Sequence, residues 1–213
     1  MTKHKAFLFD FDGTLVETME GFADIAGRVI NKYHPECSFE NARAKYLETS
    51  GIPFHQQLEI IFPGEETNKI KAAMFEELKQ EGFFASEFTD EVKDTINYIR
   101  SKGILAGVSS NNFQELIDKF IETGGLKFDI VLGFRYGFEK GKDHFDYVMN
   151  EYSLSRDELV FVGDSLKDAE KAITNEVRFI GLCGIFSKED FETVDPNLQI
   201  ITSIKELKDI CGQ

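Results

Sequence analysis

Five short runs of apolar residues punctuate the chain, each ending near a small or acidic residue: Ala6–Phe9, Ile104–Val108, Ile130–Leu132, Leu159–Val162 and Phe179–Leu182. A half-exposed strand would alternate apolar and polar positions. Unbroken runs of this length instead suit strands buried on both faces, as in a parallel sheet. Helical spacing separates the runs. Thr89 is a good N-cap, with Asp90 and Glu91 in the first turn, a stripe of Val92, Ile96 and Ile99, and Gly103 as the stop. Asn112 and Glu115 have the spacing of a capping box and precede Leu116, Ile117, Phe120 and Ile121, with Gly124 and Gly125 ending that helix. Further stripes are Phe145, Val148, Met149 and Tyr152, and then Ala169, Ala172 and Ile173. Strand and helix in alternation predict an α/β, doubly wound parallel sheet, Rossmann-like, with right-handed crossovers. Ligands of such sheets bind beyond the carboxyl ends of the strands.

One stretch breaks the alternation. Between about residues 17 and 87 the pattern is helical and contains no convincing strand. Phe22, Ile25, Ala26, Val29, Ile30 and Tyr33 form one amphipathic series, stopped by His34-Pro35. Phe54, Leu58, Ile61 and Phe62 form a second, up to Pro63-Gly64, and Ile70, Met74 and Leu78 a third, up to Gly82. A helical block after the first strand predicts an inserted helical cap domain over 17–87, with 1–16 and 88–213 forming the α/β core.

Composition narrows the class. Hydrophobic residues make up 42% and charged residues 29% of 213, which is globular composition. A formal charge of −14 argues against a nucleic-acid backbone or an anionic membrane as partner. It also means that a phosphate-handling site would need its own local cations. Cys37, Cys183 and Cys211 are odd in number and widely spaced, which suits free thiols and not a disulfide framework or a zinc site. The first apolar run is broken by Asp10 and Asp12, unlike a signal peptide or a membrane span. A cytoplasmic protein is the expectation.

The chemistry-bearing residues follow the strands. Asp10-Phe11-Asp12-Gly13-Thr14-Leu15 comes directly after the first run, so two carboxylates would share one crevice, an arrangement that a cation or a proton must relieve. Read alone, the same residues also make an ordinary strand-to-loop turn. Gly163-Asp164-Ser165-Leu166-Lys167-Asp168 follows the fourth run, with Asp164 at the strand end and Asp168 about one helical turn on. Hard oxygen donors of this kind suit magnesium, although an N-cap and a solvated helix residue would read the same. Ser109-Ser110-Asn111-Asn112, after the second run, offers a hydroxyl and an amide near a helix N-terminus, a favourable anion position or a plain cap. Lys140-Gly141-Lys142 offers a lysine before the next helix.

In this order, acid pair, hydroxyl, lysine and second acid cluster resemble the haloacid dehalogenase-like superfamily in its phosphatase branch, from Phe7 to about Gly181. The helical block resembles that family's inserted cap, as in phosphoglycolate-phosphatase-like members. The resemblance implies Asp10 as nucleophile and Asp12 as general acid/base. It implies Ser110 binding the phosphoryl group with Asn111 in support, and Lys140 balancing charge. Magnesium (Mg2+) would be bound by Asp10, the Asp12 carbonyl and Asp164, with Asp168 nearby. The family's usual Lys-Pro is Lys140-Gly141 here, so Lys142 competes for the lysine role, with spacing to Phe145 favouring Lys140. Ser109 competes with Ser110 in the same way. The expected activity is hydrolysis of a small phosphorylated metabolite through an aspartyl-phosphate. The alternatives are a phosphomutase and a non-catalytic phospho-ligand-binding relative. The segment Thr49-Ser50-Gly51-Ile52-Pro53-Phe54 resembles the cap loop that enters the active site in such members; it could also be a plain helix–helix connection with Phe54 in the cap core.

Overall fold

The computed structural model describes residues 4–84 and 86–211. In chain order the elements are β1 (Ala6–Phe9), α1 (Met19–Tyr33), α2 (Phe39–Glu48), α3 (Phe54–Ile61), α4 (Asn68–Phe83), α5 (Asp90–Ser101), β2 (Leu105–Phe113) and α6 (Gln114–Gly124). They continue as β3 (Ile130–Phe134), α7 (Lys142–Glu151), β4 (Leu159–Gly163), α8 (Leu166–Thr174), β5 (Arg178–Leu182), α9 (Lys188–Val194), β6 (Gln199–Ile201) and α10 (Leu207–Cys211). The chain divides into two compact units, Met1–Val16 with Phe88–Gln213, and Glu17–Glu87.

The first unit is an α/β fold around a six-stranded sheet in the order β3-β2-β1-β4-β5-β6, with every pairing parallel. All four residues of β1 and all five of β4 are buried, as their unbroken apolar runs require. Ala6 and Leu8 join one layer of core with Phe145 and Val148 of α7, Ala169 and Ala172 of α8, and Phe191 of α9. By alternation Phe7 and Phe9 face the opposite layer. There the ring of Phe11 meets those of Phe88 and Phe120 edge-on. The sheet is therefore covered on both faces. Because β2 and β4 flank β1, the chain reverses its direction of winding beside β1, and the crevice past that strand's carboxyl end is the natural ligand position.

The second unit is helical, with α1 to α4 and no strand among its described residues. α1 stops at Tyr33 before Pro35, and α3 stops at Ile61 before Pro63, because proline cannot continue a helix. Its core is aromatic: Phe54 stacks 4.2 Å from Phe75 and 5.8 Å from Tyr46, and Phe22 lies parallel to Phe83.

Several expectations need correction. The capping box at Asn112 and Glu115 does not form. β2 continues to Phe113, α6 starts at Gln114, and Phe113 caps it without a side-chain bond. Asn112 is used elsewhere, as described below. In α4 the buried face is Lys71, Phe75, Lys79 and Phe83, whereas Ile70 is exposed. The two lysines bury their stems and set their ammonium groups over aromatic rings, Lys71 at 4.3 Å from Phe62 and Lys79 at 4.8 Å from Phe22. That rotates the packed face away from the Ile70, Met74 and Leu78 stripe. Phe54 belongs to the core of its unit at 3% exposure, so it is not a free loop residue. Thr89 caps α5 as expected, its hydroxyl accepting from Val92 N at 3.3 Å.

Candidate active site

Asp10 is the first residue past β1, and its N–H still pairs with Val162 O at 2.8 Å. The sheet thus fixes its backbone while its side chain enters the switch-point crevice. Asp10 Oδ1 accepts from Phe11 N at 2.7 Å and lies 2.9 Å from Lys140 Nζ. The same ammonium lies 2.8 Å from Asp168 Oδ1. Lys140 therefore bridges two carboxylates that reach the site from β1 and α8. Its side chain is 1% exposed. Lys142 projects outward, 70% exposed, and pairs with Asp146 on its own helix.

The link between Lys140 and α7 is unusual. Gly141 has φ +115°, a backbone geometry that proline cannot adopt and other residues rarely do. The glycine in place of the family's proline is therefore matched to the bend this chain makes.

Asp164 follows β4 and Asp168 lies in the first turn of α8. Ser165 caps that helix through Asp168 N and donates its hydroxyl to Asp168 Oδ2 at 2.7 Å. A side chain at Gly163 would collide with the Asp168 carboxylate, its Cβ falling 2.8 Å from Oδ2, so glycine makes room for the acid. Thr14 donates to Asp164 Oδ1 at 3.0 Å. Ligand oxygens of Asp10, Asp164 and Asp168 all lie within 4.8 Å of one another. Both Asp168 oxygens take protein donors, Lys140 and Ser165.

Burial dominates the electrostatics. It raises the Asp10 carboxyl well above its ordinary value, Lys140 acting against it and the neighbouring acids with it. Burial, then the charge of Asp168, pushes Asp164 up to about 7. Asp168 goes the other way: its burial is outweighed by Lys140, Lys171 and Ser165, which hold it below its ordinary value. For Lys140, burial is outweighed by Asp10 and Asp168, and its pKa rises. Lys171, one turn past Asp168 on α8, is pulled down to about 8 by burial and by the charge of Lys140. Three buried carboxylates against one bridging ammonium crowd like charges into one pocket, which Lys171 relieves only in part. Such a set of hard oxygen donors fits a divalent cation.

Ser109 and Ser110 are both fully buried. Ser109 Oγ shares a 2.8 Å hydrogen bond with His144 Nδ1, and Ser110 Oγ accepts from Asn112 N at 3.0 Å. Asn111 is half-buried. Asp12 is half-buried too, and its Oδ2 accepts from Asn112 Nδ2 at 2.7 Å. Its side chain is outside the three-acid group. The site thus includes Thr14, Asn112, His144, Ser165 and Lys171, none of which the sequence reading assigned. Ser165 and Asp168 have helix-capping spacing, which was legible; nothing in the pattern around His144 points to Ser109.

The haloacid dehalogenase-like hydrolase family model matches residues 7–182, and the chain belongs to that family. The fold recurs in many solved structures, three of which follow. A Bacteroides fragilis protein assigned as a haloacid dehalogenase-like hydrolase has a TM-score of 0.83 at 19% identity, over 96% of this chain and 99% of that one. A Clostridium acetobutylicum protein assigned as a phosphatase gives 0.82 at 22%, over 97% of each chain. A Lactobacillus delbrueckii subsp. bulgaricus protein assigned as a phosphoglycolate phosphatase gives 0.78 at 18%, over 100% of each. No curated protein sequence matches the chain.

Proposed function

We propose that this chain is a magnesium-dependent phosphatase that hydrolyses a small, soluble phosphate monoester through an aspartyl-phosphate on Asp10. The observation that carries the reading is the bridge from Lys140 to both Asp10 and Asp168, with Asp164 inside ligand distance, at the carboxyl end of β1. An ammonium there opposes the burial that raises the Asp10 carboxyl and offers positive charge to an incoming phosphoryl group.

The residues then divide the work. An Asp10 carboxylate oxygen attacks phosphorus in line, and the bond from phosphorus to the ester oxygen breaks. Asp12 gives its proton to that departing oxygen. Asp12, now ionised, takes a proton from water as the water oxygen attacks phosphorus. The Asp10–phosphorus bond breaks and inorganic phosphate is released. Two easier steps replace one hard one. Ser110, with Asn111 beside it, and Lys140 hold the equatorial oxygens, where positioning and charge supply most of the acceleration. Asp10, the Asp12 carbonyl and Asp164 would hold magnesium, with Asp168 engaged by Lys140 behind them. Bound there, the ion offsets charge on the phosphoryl oxygens and excess anionic charge in the pocket. Monoester hydrolysis without a catalyst is so slow that about 20 kcal/mol or more of barrier must be removed.

We further propose that Glu17–Glu87 is the cap and that it reads the non-phosphate part of the substrate, since the core residues named here engage only phosphate and metal. The partner class is a small phosphorylated metabolite, and the compartment a cytoplasmic one. Magnesium titration tests the ligand roles. Asp164→Ala is expected to raise the magnesium concentration needed for half-maximal activity at least tenfold (about 1.4 kcal/mol of binding), and Asp168→Ala less. A larger shift in Asp168→Ala would exchange their roles.

A further inference from the structure

Asn112 sits where β2 loses register with β3. Ser109 pairs with Leu132 and Phe113 with Phe134, so residues 110 to 112 on one strand face residue 133 alone on the other. Bulges of this kind re-aim side chains at strand ends. Here the bulge turns the backbone N–H of Asn112 onto Ser110 Oγ, and its amide Nδ2 onto Asp12 Oδ2 at 2.7 Å. Asn112 is 2% exposed, and its Oδ1 takes no donor. An acidic acceptor at Asp12 requires the amide's NH2 side to face it.

We propose that Asn112 is the positioning residue for proton transfer by Asp12. The inference rests on the phosphatase reading. Asp12 lies in the turn after β1 and must reach the ester oxygen within hydrogen-bond distance. A buried amide anchored in the sheet fixes one of its oxygens. The donor's neutrality matters as much as its place. An amide N–H bonds more strongly to an ionised carboxylate than to the carbonyl oxygen of a protonated one, but it can hold both and adds no net charge. Oδ2 therefore stays held while Oδ1 carries the proton, in the first step to the ester oxygen and in the second from water. A lysine or arginine in the same place would favour the ionised form and oppose the first step. The two bonds of Asn112 also tie Asp12 to Ser110, so the acid and the phosphoryl-binding hydroxyl keep a fixed separation.

The test compares phosphoenzyme formation from two substrates by rapid acid quench, in the presence of magnesium. An aryl phosphate releases a phenolate that needs little protonation, whereas an alkyl phosphate releases an alkoxide that needs it fully. Asn112→Asp keeps the volume and the backbone N–H to Ser110 but removes the amide donor; Asn112→Ala removes both donor and volume. In both variants, phosphorylation by the alkyl phosphate is expected to fall about tenfold to a hundredfold relative to the aryl phosphate, and phosphoenzyme hydrolysis to slow as well. Equal losses on the two substrates, or an Asn112→Asp enzyme with the unaltered ratio, would overturn the inference alone. Absence of any phosphoenzyme in the unaltered protein would overturn the phosphatase reading with it. If Asn112→Ala fails to fold, Asn112→Asp carries the comparison.

Discussion

Lys140 and Lys142 stand two positions apart and have opposite fates. Lys140 is buried between two acids, and its removal leaves them facing each other without the ammonium that bridges them. Removing one partner of a buried ion pair costs roughly 3–5 kcal/mol, and the same change strips the site of its bridging cation. Lys140→Ala is expected to lose activity by several orders of magnitude and to lower the melting temperature. Lys142→Ala is expected to keep near-normal kcat/KM, because its pairing with Asp146 is solvent-exposed. Comparable losses from the two would show the role to be shared. His144 gives a pH handle. Burial, then the charge of Lys140, lowers its pKa from 6.5 to about 3. A histidine depressed in the folded state contributes stability that is full above 6.5 and is lost progressively as pH falls toward 3. His144→Asn, whose amide can still reach Ser109, removes that dependence. Melting curves across this range should show the variant losing less stability on acidification than the unaltered protein. Parallel pH profiles would contradict the burial of a neutral imidazole.

At the scale of elements, five of the six strands and most helical faces were plain in the sequence, Val92, Ile96 and Ile99 of α5 among them. β1 and β4 announced themselves because burial on both faces demands unbroken apolar runs. β6 was missed because it has three residues and begins with Gln199. α2 was missed because it buries little beyond Ala42 and Tyr46, leaving no stripe. In α4 the face was misplaced because buried lysines look polar in a pattern, and only the rings beneath them reveal the packing. The acids of the site were legible because each follows a strand. Asn112 and His144 were not, since their roles depend on a register shift and on a contact between distant segments. The loop before α3 tests the proposed cap. Phe54 is a core residue of its helical unit, so Phe54→Ala should destabilise the protein, with large core aromatics costing about 3–5 kcal/mol. Ile52, only half-buried, is the better probe of specificity. Ile52→Ala is expected to change relative kcat/KM among small phosphate esters while phosphoenzyme formation from acetyl phosphate survives. A uniform change across all substrates would remove this loop from recognition.

At the scale of the whole molecule, the proposed chemistry sits on an α/β sheet with its acids at the switch point, and for a phosphate substrate the formal charge of −14 calls for local cations. Lys140 and Lys171 are two such cations, supplied by the α/β unit beside that cluster. No described helix is long and apolar enough to cross a membrane, and Cys37, Cys183 and Cys211 are unbridged. The central claim is the covalent step on Asp10. The most direct measurement is mass spectrometry of the protein quenched in acid during turnover of a small phosphate ester, with and without magnesium. The expected result is a phosphoryl group on the peptide containing Asp10, dependent on magnesium and absent from Asp10→Asn, which should also be inactive. Turnover with no adduct, an adduct on another residue, or undiminished hydrolysis by Asp10→Asn would contradict it.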